Sequence, residues 1–523
     1  MGIPFYFKTL ITQHPNIIQP SLKTKIKRCA KLFLDYNCIL HTCAQHLFMS
    51  QKFDKAENAY DQIIQNAIEY TKTIVSHVQP SQLVYIAVDG MCPRAKMVQQ
   101  RKRRFIGAWK QSILNTKWDS NTITPGTTFM KRFDQEIAEF VKQQDGQNGV
   151  QWILSPSSSP GEGEHKIFQF MRAATQNDTT ENMIYGLDAD LILLSLLHMD
   201  KYPKDQIRLL REAMVFNVNA NTSPFMQLDV GELYTALTNT YNIPICDYVM
   251  LCSLLGNDFI PSLSFLKIKA NGIDKVINSY NEVGQPLVSQ SAFIDHTTLM
   301  RILEIIGRSE DQDMHAAVTA YYDQRPFIDK TKPRVAQEID NYPLFNKAPP
   351  VGTIQPLVKG WRLSYYHVLF GDANHITQIC DQYVKGLDWI ATYYLNYTHA
   401  DFNWFYPYNY APTILDVVNH MRTVTEQVEN KKTEQKVTID KIHLVPLEFQ
   451  LLCVLPPQSM NLLPDNLKPI MTDVELGCVH YYPTQFTIQT FLKQYLWEAY
   501  PNLPTIDYNH LQGVFDRICA IVK

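Results

Sequence analysis

The chain lacks the marks of several common protein classes. None of its ten cysteines forms a Cys-x-x-Cys pair and they fall into no regular framework, Cys38 and Cys43 being the closest two. That spacing argues against a disulfide scaffold or a zinc ribbon and for reduced, packed thiols in a cytosol-like compartment. No apolar run approaches the roughly 20 residues needed to cross a bilayer, so no membrane span is expected. The start of the chain has no basic segment followed by a long apolar stretch, so a signal peptide is not expected. Gly2 is followed by Ile3, Pro4, Phe5 and Tyr6, which does not fit a myristoylation site. There is no excess of basic charge: 48 Lys and Arg face 51 Asp and Glu, a net charge of −3. This argues against coating of nucleic acid by bulk charge, and any such binding must come from a local patch. Internal repeats are absent. Beyond short basic stretches, the one charge run is ENKKTEQK at 429–436, read as a solvated loop.

What the 523 residues do contain is enough apolar material, 45% of the chain, for a large core and two or more structural units. Short apolar runs alternate with amphipathic stretches over the first 280 residues, the pattern of βαβ units. Strands are expected at 31–35, 83–89, 151–154, 183–187 and 207–210, with helices at 56–77 and 127–143. A helix, a turn at Asn271-Gly272 and a second helix are expected around Asp258. Residues 281–355 are more polar and less patterned and read as a variable connecting segment ending near KAPPVG. A second block, 356–523, is rich in aromatics and proline. The expected division is therefore 1–280, 281–355 and 356–523.

Seven carboxylates stand at the ends of apolar runs: Asp35, Asp89, Glu162, Glu164, Asp188, Asp190 and Asp258. A strand running straight into an acid normally opens onto the carboxyl edge of a parallel sheet, where α/β proteins place their sites. Like charges gathered there repel unless cations hold them, and hard oxygen ligands favour Mg²⁺ or Mn²⁺, ions that chiefly serve phosphoryl chemistry. Glu162 and Glu164 follow a Ser/Pro/Gly-rich loop. The plainer alternative is that they complement a helix dipole. Asp188 and Asp190 interrupt an apolar stretch, a costly place for unpaired charge, although a surface turn would also accommodate them. After Pro93, Lys96, Gln100, Arg103 and Arg104 fall on one helical face. Such a face can clamp a terminal phosphate by charge-assisted hydrogen bonds, or can simply be solvated or serve nuclear import. His41 could ligate a metal, catalyse, stack on a base or merely be packed.

The motifs LFLDYNCILH, AVDGMCPRAKMVQQRKRRF, ITPGTTFM, PGEGEHKI, YGLDADLILL and LLGNDFIP occur in the order found in the Xrn/Rat family of 5′→3′ exoribonucleases, which this chain resembles over nearly its whole length. GWRLSYYHVLFG, WFYPYNYAP, LLCVLPPQSMNLLP and YYPTQFTI resemble that family's second conserved region. The resemblance implies an α/β, PIN-like/flap-endonuclease-type nuclease core with a parallel sheet, plus a mostly helical second region packed against it. It implies that the seven acids bind two Mg²⁺ ions, Mn²⁺ substituting, and that Lys96, Gln100, Arg103 and Arg104 hold a 5′-monophosphate. His41 and one of Trp389 or Trp404 would stack on bases, and Pro93 would help exclude duplex. The stretch between Phe105 and Thr124 is shorter than in typical members, so the projecting helical arm usual there should be reduced or missing.

The implied activity is processive 5′→3′ degradation of single-stranded RNA carrying a 5′-monophosphate, by two-metal hydrolysis, to nucleoside 5′-monophosphates. Seven acids against two divalent ions leave excess negative charge, so some must pair with Lys or Arg, act through water or be protonated. Decapping or RNA-processing factors are conceivable partners. A cytoplasmic location is expected, a nuclear one being left open by the basic stretches at 23–28 and 100–104. The rival classes are a flap-endonuclease-like DNA nuclease and a non-catalytic RNA-binding scaffold.

Overall fold

The computed structural model describes residues 2–21, 29–49, 56–116, 118–173, 180–186, 188–213, 223–289, 292–329, 331, 333–347, 354–431 and 444–521. They form two compact units, each assembled from separate stretches of chain. The first comprises 1–92, 120–245 and 444–451, and the second 93–119, 246–443 and 452–523.

The first unit is organised by a seven-stranded sheet of β1 (Ile18–Pro20), β2 (Lys31–Asp35), β3 (Leu83–Ala87), β4 (Gln151–Ser155), β5 (Thr180–Tyr185), β6 (Asp205–Glu212) and β7 (Phe225–Asp229), in the order β1-β7-β6-β5-β2-β3-β4. The pairs β2–β3, β2–β5, β3–β4 and β5–β6 are parallel, while β6–β7 and β1–β7 are antiparallel. Strands buried on both faces need continuous apolar sequence, and Leu32, Phe33 and Leu34 and all of β3 supply it. From β2 the chain order proceeds outward through β3 and β4 on one side and β5 and β6 on the other. The β2/β5 boundary is therefore a topological switch point, where crossovers diverge and leave a crevice at the carboxyl ends. All five strands expected from sequence are present. Their observed bounds differ by a few residues, β5 beginning at Thr180 and ending at Tyr185, and Leu187 lies outside the described residues. Helices Ala56–Val78 and Thr128–Gln144 are also as expected, the latter capped by Thr127, whose side chain accepts from the Met130 amide. The antiparallel edge of β1 and β7 was not foreseen. β1 is only three residues long and ends in Pro20, too short to show a period.

The second unit is mainly helical. The segment read as a connector carries helices His296–Gly307, Glu310–Asp323, Arg334–Asp340 and Tyr342–Phe345. Its polar character reflects helices buried along one stripe only: Leu299, Ile302, Leu303 and Ile306 are buried while His296, Thr297 and Arg301 are exposed. Of KAPPVG, residues 348–352 lie outside the described residues, as do 23–28 and the end of ENKKTEQK; the start of the latter closes helix Ile414–Lys431 rather than forming a loop. The linear division at 280 and 355 does not coincide with the compact units, for a reason visible in helix Arg94–Leu114. Its amide at Arg94 donates to the Phe402 carbonyl (2.9 Å), Arg101 donates to the carbonyls of Pro504 (2.8 Å) and Tyr481 (2.5 Å), and Lys110 pairs with Asp340 (2.6 Å). The helix runs on to Leu114 and ends at left-handed Asn115. The turn expected at Asn271 is present: Asn271 is left-handed (φ 56°) and starts helix Gly272–Val283.

A single buried acid locks part of this unit. Asp247 is fully buried and accepts hydrogen bonds from Tyr280 Oη (2.7 Å), the Leu287 amide (2.9 Å) and the Val288 amide (2.8 Å). Replacing it with alanine strands three donors, so Asp247→Ala should lower unfolding stability by about 3 kcal/mol or more, with Asn recovering part. Chemical denaturation checks this; a loss under about 0.5 kcal/mol would show that these bonds do not anchor the segment.

Candidate functional site

Six of the seven acids belong to the first unit and all follow the carboxyl ends of parallel strands. Asp35 closes β2, Asp89 lies just past β3, Glu162 and Glu164 follow β4, and Asp188 and Asp190 follow β5. Asp89 is held from two sides: its amide donates to Asn37 Oδ1 (3.0 Å) and its Oδ1 accepts from the Gly163 amide (2.7 Å). Gly163 packs its bare backbone on two carboxylates. A Cβ there would stand 2.7 Å from Asp35 Oδ1 and 3.4 Å from Asp89 Oδ1. Glu162 and Glu164 are buried, and with His165 they offer ligand atoms all within 4.8 Å of one another. Gly186, leading from β5 toward Asp188, would place a Cβ 3.6 Å from Asp35 Cβ, so this turn starts beside β2. Asp188 caps helix Ala189–Lys201 by accepting from the Ala189 amide (2.7 Å), and Asp190 is buried in its first turn.

Two buried cations offset this charge within the same unit. Lys166 donates to the carbonyls of Val88 (2.7 Å) and Pro156 (2.9 Å); burial draws its ammonium down to about 8 against the upward pull of Asp89 and Asp134. Arg211 donates to the Asp188 carbonyl (2.9 Å), and burial draws it down to about 10 against the pull of Asp188. Burial first, and then repulsion from Asp35, pushes the Cys38 thiol well up, which makes it an inert neighbour. His41 is exposed on helix Tyr36–Met49.

The remaining expected residues belong to the second unit. Asp258 emerges from a tight turn in which Asn257 Oδ1 accepts from the amides of Phe259 (2.9 Å) and Ile260 (3.0 Å). Gly256 (φ 86°) makes that turn possible, since a Cβ there would meet the Ser262 amide nitrogen at 2.6 Å. The Asp258 side chain pairs with Lys96 Nζ at 3.1 Å. Burial favours its neutral form, but surrounding positive charge, Lys96 and Arg103 included, holds it well below the usual carboxylate range. Pro93 precedes the first turn of helix Arg94–Leu114, on which Lys96, Gln100, Arg103 and Arg104 share a face. Gln100 and Arg104 are buried and joined at 3.4 Å, whereas Arg103 is exposed. Trp389 is buried, stacks on both Tyr393 (4.6 Å) and Trp404 (5.3 Å) and donates its Nε1 to the Asp401 carbonyl (2.7 Å). Trp404 is the more accessible of the two. Gly386 admits it, because a Cβ there would lie 3.0 Å from Trp404 Cη2.

The sequence reading missed His165, Asn37, Lys166 and Gly386. Adjacency could have flagged the first three, since His165 and Lys166 directly follow Glu164 and Asn37 lies two residues after Asp35. Gly386 carries no such signal.

Acids gathered at the carboxyl edge of a parallel sheet, with a buried Lys and a buried Arg among them, define an α/β protein whose donor set suits hard divalent cations. Comparison with known proteins narrows this class. The family described as "XRN 5'-3' exonuclease N-terminus" matches residues 1–213, and "Xrn1 helical domain" matches 240–341 and 305–518. The chain belongs to the XRN 5′-3′ exonuclease family. Human 5′-3′ exoribonuclease 1 is 27% identical, the match covering 98% of this chain and 34% of the human protein. Gallus gallus 5′-3′ exoribonuclease 2 is 25% identical over 99% of this chain and 70% of its own length. The chain thus spans about a third of the human relative. A solved structure described as the catalytic core of Rad2 in complex with DNA substrate aligns over 72% of this chain and 88% of its own, with 11% identity and a TM-score of 0.34, a likeness too loose to build on.

The crowding at Gly163 is testable. Gly163→Ala should retain the fold but displace the Asp35 or Asp89 carboxylate, weakening Mn²⁺ affinity by about 10- to 100-fold, as losses of groups that orient metal ligands do. Calorimetric titration checks this, and unchanged affinity in a folded variant would mean that the two carboxylates do not depend on that close approach.

Proposed function

We propose that this chain is a 5′→3′ exoribonuclease that processively degrades single-stranded RNA bearing a 5′-monophosphate to nucleoside 5′-monophosphates. The observation that carries the proposal is the set of six acids converging from β2, β3, β4 and β5 on one edge of the first unit. Membership of the XRN family and the names of the relatives support RNA as substrate and the 5′ end as the starting point. The donor set fits Mg²⁺ or Mn²⁺, being almost entirely carboxylate oxygen, with the His165 ring nitrogen within reach of Glu162 and Glu164. Such cations supply Lewis acidity and charge neutralisation at a scissile phosphate.

The protein's own groups then divide the work. Asp35, Asp89, Glu162, Glu164, Asp188 and Asp190 hold the charge, and Lys166 and Arg211 keep the acid set tolerable before cations bind. Lys96, Gln100, Arg103 and Arg104 clamp the terminal phosphate. Gln100 and Arg104 are already ordered by each other, Lys96 is oriented by Asp258, and exposed Arg103 is free to close on the ligand. A clamp of this size suits one phosphate, so a triphosphate or cap should be rejected. His41 and Trp404 offer rings on which any base can stack, which suits an enzyme that must accept every sequence.

A time course on one RNA with a 5′-monophosphate, 5′-triphosphate or 5′-hydroxyl, with Mg²⁺ or EDTA, tests this directly. Mononucleotide release from the monophosphate alone, abolished by EDTA, is expected. Asp188→Ala and Asp190→Ala should each lower the rate at least about 100-fold while RNA binding persists. Arg103→Ala should reduce the preference for monophosphate over hydroxyl by about tenfold, the worth of one charge-assisted hydrogen bond. Cleavage of flap DNA in preference to RNA would point to the flap-endonuclease class, and binding without cleavage to a scaffold.

A further inference from the structure

The second unit contains a recess that none of the residues considered so far explains. Its volume is about 180 Å³, and its wall includes Lys102, Phe405, Tyr408, Asn409, Gln489 and Asn502. An apolar cavity of about 150 Å³ accommodates benzene, so this space suits one aromatic heterocycle. Lys102 lies on a different face of helix Arg94–Leu114 from the clamp residues, two positions after Gln100. Its ammonium rests against the ring of Tyr500 at 5.3 Å from the centroid, and that of Lys493 rests against the same ring at 4.7 Å. Among the described residues, no carboxylate lies within ion-pair distance of either ammonium. Glu498, whose Oε2 accepts from the amides of Gln494 (2.8 Å) and Tyr495 (3.0 Å), pulls Lys493 upward against burial but exerts no such pull on Lys102. Lys267 adds a third cation beside Lys493 by donating to the Leu492 carbonyl. Arg101 also lines the recess but is bound to two carbonyls, so Lys102 is the cation left to a ligand. Burial, then repulsion from Arg101 and Lys493, draws Lys102 down to about 7.

The wall also presents a reading edge. Asn409 Nδ2 donates to Gln489 Oε1 (2.7 Å), which leaves Asn409 Oδ1 and Gln489 Nε2 as an acceptor and a donor with no protein partner among the described residues. Paired donors and acceptors of this kind match the edge of a nucleobase.

We propose that this recess binds a nucleoside phosphate unit, with the base against Phe405, Tyr408 and the Asn409–Gln489 amides and the phosphate on Lys102. The unit comes either from released mononucleotide or from an internal nucleotide of RNA. The proposal rests on the exoribonuclease reading only for that source, and its test is run in EDTA, where no turnover is needed.

The full chain carrying Arg103→Ala, which removes a clamp residue, is titrated calorimetrically with UMP, inorganic phosphate and a 5′-hydroxyl decaribonucleotide. Adding Lys102→Met should weaken UMP by about tenfold or more, with Lys102→Arg retaining it, if the source is free nucleotide. Weakening of the decamer alone assigns the site to internal RNA. Gln489→Ala, which leaves the lysines in place, should weaken UMP but not inorganic phosphate, and it keeps the test open if Lys102→Met fails to fold. Unchanged affinity for both UMP and decamer in folded Lys102→Met and Gln489→Ala chains overturns the proposal, as does absence of binding to the Arg103→Ala chain. Absence of nuclease activity in the wild-type chain with Mg²⁺, with this binding intact, would instead count against the exoribonuclease reading alone.

Discussion

Electrostatic repulsion among carboxylates is the constraint around which the first unit is arranged. Six acids at one sheet edge, several of them buried, are expensive in a low-dielectric setting unless opposite charge is supplied. The fold supplies some of it internally, through Lys166 beside Asp89 and Arg211 on the Asp188 loop. The proposed function rests on this gathering of acids, whose oxygen donors suit hard divalent ions. Other features serve the same end. Gly163 lets the backbone reach Asp35 and Asp89 closely, and Asn37 fixes the amide of Asp89.

Helix Arg94–Leu114 shows the complementary arrangement, in which positive charge is divided by face. Arg101 is structural, bound to carbonyls from two distant loops. Lys96, Gln100, Arg103 and Arg104 present donors together, and Lys102 faces the Tyr500 cluster. Five cations among positions 96–104 would have been read as one basic patch from composition alone. Burial and partners separate them into three roles.

Much of this was legible in the sequence because the relevant signals are local. Apolar runs ending in acids gave the parallel strands and their carboxyl edge, since strands buried on both faces must be continuously apolar. The helical spacing of Lys96, Gln100, Arg103 and Arg104 is likewise visible without coordinates. What escaped depends on partners distant in sequence. The edge pair β1–β7 joins Ile18–Pro20 to a strand some 200 residues later, and no window contains both. The helices of 296–345 bury single stripes under a polar exterior, which reads as linker. Trp389 and Trp404 are equal as letters; only packing shows that Trp389 is enclosed and Trp404 half-open. The compact units interleave because helix Arg94–Leu114 bonds to residues 300 to 400 positions away, which no linear division can express.

The most direct test of the central claim, that the acids gathered at the sheet edge take up divalent cations, is thermal unfolding with and without Mn²⁺. Wild type is compared with an Asp35→Asn/Asp188→Asn chain. Wild type should melt at higher temperature with Mn²⁺, because an ion bound only by the folded state stabilises it. The double variant should melt higher than wild type without metal, since repulsion is relieved, and should gain little from Mn²⁺. An equal Mn²⁺ shift in both chains, or none in wild type, would contradict the claim.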